Sequence, residues 1–386
     1  MLRGFKPIAV GIAIVLAVGA CTTSGGGTGS AAPATSVAPA TSGAPAASAS
    51  AGEASAAAGD ICTAPPKHEG TTLTFASFGG VYQEAQREGW LVPYTALTGV
   101  QFAESEESSN ATIKAQVESG NVSWDVVDVG NDFGLEGNAD LLEPLDYSLI
   151  KQDEILDGFA TKYRIGDITY GVVLAYNTDK TAGKVPEGWA DFFDTTKIPG
   201  KRGLWKYSTG GVLEFALMAD GVKPTELYTP KLDVDRAIKK LDTIKDDIVW
   251  WESGAQSQEL IGSGEVAMSM IWNGRGYSAK HTDNKPVEIQ WNQQIVTADY
   301  FVVPKGTPNK QVAMEFIAWA TCANNNAAVS NKIPYGPTNK NAKANDAVVA
   351  DLSVTHADDN TAYFNDAYLI DNFDAIDAPF QAWVTQ

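Results

Sequence analysis

The sequence predicts an α/β protein of two lobes, and three observations carry that prediction. Short apolar runs of strand length alternate with amphipathic helical stretches from residue 72 onward, the order from which helix-covered sheets are built. About 325 residues follow a low-complexity N-terminal region, more than one hydrophobic core ordinarily serves. The stretch 259–275 shows the pattern most clearly: a helix end, a Gly262-Ser263-Gly264 stop, a buried strand over 266–272 and an Asn273-Gly274 turn. Trp272 is thereby delivered to a strand's carboxyl end, where open α/β sheets bind ligands; it is either a cleft wall or a core tryptophan.

The chain begins with a basic head (Arg3, Lys6), an apolar run over 8–18 too short to span a bilayer, and Val18-Gly19-Ala20-Cys21. A small-residue cleavage site directly before a cysteine is the pattern of a bacterial lipoprotein signal, with Cys21 as the lipidated N-terminus; an ordinary secretory signal is the other reading. Signal peptide 1–20 is expected to precede a disordered tether over 21–59, built almost entirely of Ala, Ser, Gly, Thr and Pro. Forty such residues span roughly 35 Å root mean square, which holds a domain just off a membrane surface. Export suits the cysteines: Cys62 and Cys322 remain, either one disulfide or two separate thiols. The net charge of −19 argues against nucleic acid as a partner and favours cations in the general field.

In chain order, the strand over 72–76 ends in Ser77-Phe78-Gly79-Gly80-Val81-Tyr82, where paired glycines let the backbone approach whatever sits at the strand end. Ser77 belongs to this turn, and Phe78 and Tyr82 flank the glycines as candidate cleft aromatics, or as core and first-turn residues. A helix from Tyr82 is expected to be interrupted at Pro93, and another runs over 108–118 until Gly120. A second buried strand, Trp124 to Val129, breaks into Gly130-Asn131-Asp132-Phe133, where Asp132 is a candidate ligand residue or a turn former. The run 169–177 is the longest strand signal of the middle and can carry the chain between lobes. Ser208-Thr209-Gly210-Gly211 enters a helix whose first-turn Glu214 either faces the cleft or is solvated. The stretch 233–246 is an amphipathic helix. Strands are expected over 287–295 and 296–304, and Asp299 stands inside the apolar run of the second. A buried carboxylate needs donors, whether amides, an arginine or a cationic ligand. A helix over 309–323 precedes Ile333-Pro334-Tyr335-Gly336-Pro337, a rigid turn that aims the Tyr335 hydroxyl. The tail 361–386 reads as closing helices rather than a site.

Catalytic patterns are few. None of His68, His281 and His356 has a partner at metal spacing, and there is no nucleophile elbow, phosphate loop or dinucleotide fingerprint. No cofactor, no metal and no enzymatic activity are expected, although two carboxylates for a hydrolase exist in any acidic chain.

The chain after the tether resembles the extracellular solute-binding proteins of ABC importers, the spermidine/putrescine receptors among them. The resemblance is carried by Ser77-Phe78-Gly79-Gly80-Val81-Tyr82, Trp124-Asp125-Val126-Val127-Asp128, Gly171-Val172-Val173-Leu174-Ala175-Tyr176-Asn177, Pro199-Gly200-Lys201-Arg202-Gly203-Leu204, Trp250-Trp251-Glu252-Ser253-Gly254, Trp272-Asn273-Gly274-Arg275 and Ile333-Pro334-Tyr335-Gly336-Pro337. It implies a two-lobe Venus-flytrap fold of type II, with lobe 1 at 70–173 plus 298–345, lobe 2 at 174–297 plus 346–386, and the ligand trapped between them. It implies aromatics around a methylene chain and carboxylates at the amine ends, with Trp272, Asp299 and Tyr335 at the matching positions. The chain departs from the receptor pattern at Thr297, Gly130 and Asp132, where Trp, Ser and Tyr stand in that family. The expected function is capture of a polyamine by a lipid-anchored monomer and its delivery to ABC permease subunits, with another small amine or amino-acid derivative as the alternative. An iron receptor would want adjacent tyrosines, which are absent from the sequence.

Overall fold

The computed structural model describes residues 60–386; the signal, the tether and Cys21 lie outside the described residues. Ten strands form one mixed sheet: β1 (Thr72–Ala76), β2 (Gln101–Ser105), β3 (Val126–Val129), β4 (Ile165–Asn177), β5 (Arg202–Trp205), β6 (Ile248–Trp251), β7 (Met268–Trp272), β8 (Val287–Val302), β9 (Gly336–Pro337) and β10 (Ala362–Tyr363). The order is β2-β1-β3-β8-β4-β7-β5-β6, with β9 on β4 and β10 on β8. Each end of the sheet is a parallel trio, β1 between β2 and β3 and β5 between β6 and β7. Each trio, with its helices, forms the heart of one lobe.

The long strands β4 and β8 join the trios. They run antiparallel to each other, β8 pairing on to β3 and β4 on to β7. All 13 residues of β4 are buried, which is why 171–176 reads as an unbroken apolar run. The two strands expected over 287–304 are in fact the single strand β8. Its pairing with β4 slips between Val172 and Leu174, and Gln293 there has φ 62, a local irregularity just before the break expected between 295 and 296.

Local sequence explains most helix boundaries. Ser109 caps the helix Asn110–Ser119 through Thr112 N, and Gly120, in the left-handed region, ends it. Ser253 and Gln256 form a reciprocal capping box on the helix Gly254–Ser263. Two expectations need correction. Pro93 does not interrupt its helix: helical residues continue from Gly80 to Thr98, with a π-turn at Arg87–Leu91 just before the proline, where a widened turn accommodates the missing donor and the ring. Asn273-Gly274 is not a turn but opens the short helix Asn273–Tyr277. Asn273 is fully buried, donating to Pro334 O and Asp351 O and accepting from Gly171 N.

Aromatic residues dominate both lobes. Phe75, Trp90, Phe301 and Phe316 pack edge to face under the first trio, and Trp189 stacks on Phe215 at 3.7 Å between centroids under the second. A disulfide joins Cys62 to Cys322, with 5.7 Å between their Cα atoms.

Candidate ligand-binding site

A cavity of about 950 Å³ opens where the carboxyl ends of β1 and β3 face those of β5 and β7. This is the place that the strand-end rule for α/β sheets assigns to a ligand. Trp272, the last residue of β7, lines the cavity. Its ring centroid is 6.0 Å from Phe78, 6.3 Å from Tyr170 and 5.3 Å from Trp205, each approach edge to face. Tyr335 continues the wall, 5.7 Å from Tyr170 and 5.1 Å from Tyr82. Gly274 makes room for it, since a Cβ there would stand 2.6 Å from the Tyr335 ring. The cleft is therefore an aromatic box assembled from both trios.

Asp299 is the buried carboxylate on this wall, 5% exposed, in register with Ile168 on β4. Its Oδ1 meets no donor among the described residues. Burial first, and then the carboxylates of Asp128 and Asp167, push its acid well above the usual range, while the neighbouring Tyr170 hydroxyl pulls the other way. An acceptor without a donor, inside an aromatic box, is suited to an N–H-bearing cation.

Apart from the exposed Asp140, the other acids at the cleft are already engaged. Asp132 lines the cavity, but its Oδ2 accepts from the Tyr207 hydroxyl and from Thr209 Oγ1 at 3.0 Å, and its Oδ1 from Asn110 Nδ2 at 3.5 Å. It ties the loop after β3 to the loop after β5. At the rim, Glu118 lies 3.9 Å from Lys114 and Glu252 lies 3.2 Å from Lys206.

Of the sequence candidates, the fold brings Trp272, Asp299, Tyr335, Phe78, Tyr82 and Asp132 to one cavity. Ser77 and Glu214 do not line it. The Ser77 hydroxyl is spent beneath the cleft on Gln86 Oε1 at 2.6 Å and Asp128 Oδ2 at 3.1 Å. Glu214 points into the lobe interior, where it accepts from the Tyr228 hydroxyl at 2.8 Å and burial raises its carboxyl to about 7. The expectation that the tail carries no site is also corrected. Phe364, Ile370 and Phe373 line the cavity, and Asp366 binds Arg164 at 2.6 Å and Asn131 at 3.2 Å, fastening the tail over the opening.

Sequence reading missed Tyr170, Trp205, Tyr207 and Thr209, all of them on the cavity. A signal existed for Trp205 and Tyr207: aromatics at the end of a short strand, shortly before a glycine turn, repeat the pattern that singles out Phe78 and Trp272.

The family model for bacterial extracellular solute-binding proteins matches residues 90–355. A gamma-aminobutyric acid-binding protein of Pseudomonas aeruginosa is 36% identical over 325 residues, covering 82% of this chain and 91% of the relative. A spermidine/putrescine-binding periplasmic protein of Escherichia coli is 24% identical over 289 residues, covering 71% and 79% respectively. Among solved structures, the Atu4243 GABA receptor superposes with a TM-score of 0.74 at 40% identity, over 81% of this chain and 98% of that one.

Proposed function

Because the chain belongs to the bacterial extracellular solute-binding proteins, we propose that it captures a small zwitterionic monoamine of the γ-aminobutyrate class outside the cytoplasm and delivers it to an ABC permease. The observation that carries this reading is the Asp299 carboxylate, buried in the aromatic box with one oxygen unmatched, which seats one ammonium. The chain of the ligand lies over Trp272, with Phe78, Tyr82, Tyr170 and Tyr335 around it.

A polyamine wants a second unspent carboxylate opposite Asp299. Asp132 is committed to Tyr207 and Thr209, Glu118 and Glu252 have lysines beside them, and Asp140 is exposed, so the far end of the cleft offers no second buried, unspent carboxylate among the described residues. The first turn of the helix Asn110–Ser119 opens there, and its amides have no preceding helical carbonyl to bond, which suits a ligand carboxylate. The names of the two more similar relatives agree with a monoamine. We place the lobes at 70–173 plus 298–345 and at 174–297 plus 346–386, and anchor the receptor as a monomer through a lipid on Cys21.

Titration calorimetry of the ligand-free protein with γ-aminobutyrate, putrescine and spermidine tests the reading. γ-Aminobutyrate should bind most tightly; tight putrescine binding without γ-aminobutyrate binding would overturn it.

A further inference from the structure

Beneath Asp299 lie two more carboxylates that the ligand does not reach. Asp128 on β3 pairs in register with Phe301 on β8, two residues from Asp299. Asp167 stands on β4 where the register with β8 slips between Gly166 and Ile168, a bulge that turns an extra side chain out beside the site. Asp128 and Asp167 are fully buried and Asp299 nearly so, on three adjacent strands. Each has one oxygen that meets no donor among the described residues: Oδ1 of Asp128, of Asp167 and of Asp299.

The remaining oxygens are held by neutral groups. Asp128 Oδ2 accepts from Gln86 Nε2 at 2.6 Å and from Ser77 Oγ, and Asp167 Oδ2 from the Tyr82 hydroxyl at 3.0 Å. The titratable and charged groups facing the cluster are Tyr82 from the helix after β1, Asp132 from the loop after β3, Tyr170 from β4, Tyr300 from β8, Tyr335 from the rigid turn and Arg275 from the helix after β7. Arg275 is the only cation among them. It donates Nη2 to the carbonyls of Phe78 and Gly79 and forms no ion pair among the described residues. One cation does not neutralise three carboxylates, and like charges buried together in excess of their counter-ions cannot all be ionised.

We propose that Asp128, Asp167 and Asp299 hold protons as one shared unit in the ligand-free receptor, and that capture of the ligand's ammonium expels one proton to solvent. In the step an O–H bond of the cluster breaks, the proton leaves to water, and the ligand's R–NH3+ donates an N–H to the carboxylate left at Asp299. Asp128 and Asp167 are thus positioning residues, setting the charge of a carboxylate they do not touch the ligand through. The inference rests on the ammonium reading of the ligand, and it makes affinity fall in acid: below the titration of the ligand-free cluster, Kd rises up to tenfold per pH unit.

Two measurements test this. Calorimetry with γ-aminobutyrate at pH 6.5 in phosphate and in Tris, whose ionisation enthalpies differ, should report release of a proton per ligand; an apparent enthalpy that does not depend on the buffer overturns the proposal. Asp128→Asn should reduce that release and flatten the pH profile, so that the variant gains on wild type in acid, an outcome that a merely structural Asp128 would not give. The second measurement needs no ligand. The infrared spectrum of wild type minus Asp299→Asn at pH 7 should show excess protonated-carboxyl C=O absorption, with the contribution of buried Glu214 cancelling between the two proteins. A flat difference overturns the proposal whatever binds. Failure of γ-aminobutyrate to bind while the infrared difference persists would overturn the ligand reading and support the shared proton.

Discussion

Replacing Asp299 by asparagine keeps the shape of the cleft wall and removes its charge. The residue is 5% exposed and its Oδ1 has no protein donor, so the ligand ammonium loses its one full counter-charge. Truncating a buried hydrogen-bonded charge pair costs ~2–5 kcal/mol. Here part of the pair's attraction is offset, because burial, and then Asp128 and Asp167, raise the Asp299 acid in the ligand-free protein. The net loss should fall near the lower end, ~2–3 kcal/mol, a roughly 30- to 140-fold rise in Kd. Trp272→Phe retains an aromatic face and should lose only ~0.5–1 kcal/mol, a two- to fivefold effect. Asp299 has no ion pair to lose among the described residues, so the unfolding temperature of Asp299→Asn should lie at or above that of wild type. Calorimetry with γ-aminobutyrate at pH 7.5, alongside thermal unfolding, reads both quantities. An Asp299→Asn affinity within twofold of wild type, or Trp272→Phe the more damaging of the two, would refute the reasoning.

Gly274→Ala places a methyl where the Tyr335 ring now stands, 2.6 Å from the new carbon, and should weaken binding about tenfold by displacing one wall of the box, about 1.4 kcal/mol; an unchanged Kd would mean the ring moves freely. Opening the Cys62–Cys322 bridge, 260 residues apart in sequence, releases a long loop in the unfolded chain, and Cys62→Ser with Cys322→Ser should lower stability by ~3–5 kcal/mol in denaturant titration while leaving ligand affinity intact. Burial raises Asp128 from 3.8 to about 7, so the folded protein holds a proton that the unfolded chain gives up in that window. The contribution to stability is complete below pH 3.8 and is lost as the pH rises through about 7, on the order of 4 kcal/mol for this group. Ligand-free Asp128→Asn should accordingly be more stable than wild type at pH 8 and indistinguishable near pH 4; equal stability at both would contradict the shift.

Much of the fold was legible because period and punctuation agree. Gly120 and the apolar run within β4 announce their elements in local terms, and Trp272 at a strand end followed directly from breakers on both sides. Failures arose where the decisive contact is remote in sequence. Nothing near Glu214 reveals that Tyr228 and the lobe interior receive it, and nothing near Ser77 shows that Gln86 and Asp128 claim its hydroxyl. Asp128 and Asp167 look like ordinary strand residues until β8 is laid between β3 and β4. Tyr170 was hidden by a strand buried on both faces, where alternation carries no information about which side chains line a cleft. The tail's part in the cleft depends on Arg164, some 200 residues upstream of Asp366.

Closure and capture can be separated through Asp132. The bonds that cross the cleft without the ligand include those of Asp132 to Tyr207 and Thr209, of Arg275 to the carbonyls of Phe78 and Gly79, and of Asp366 to Arg164 and Asn131. In an open receptor these groups bond to water instead, so each contributes only ~1 kcal/mol to closure. A ligand shifts the equilibrium by its differential affinity for the closed state, which is large here because Phe78 and Tyr82 come from one trio and Trp205 and Trp272 from the other. Tyr207→Phe with Thr209→Val should therefore weaken every ligand by the same factor, ~1–2 kcal/mol or five- to thirtyfold, while leaving the ranking of amines untouched. Asp299→Asn, by contrast, should compress that ranking, since it removes the group that distinguishes an ammonium from a neutral solute. Solution scattering of the ligand-free double variant should show a larger radius of gyration than wild type. A double variant that changed the ranking of γ-aminobutyrate against putrescine would place Tyr207 and Thr209 in contact with the ligand, and Asp132 with them.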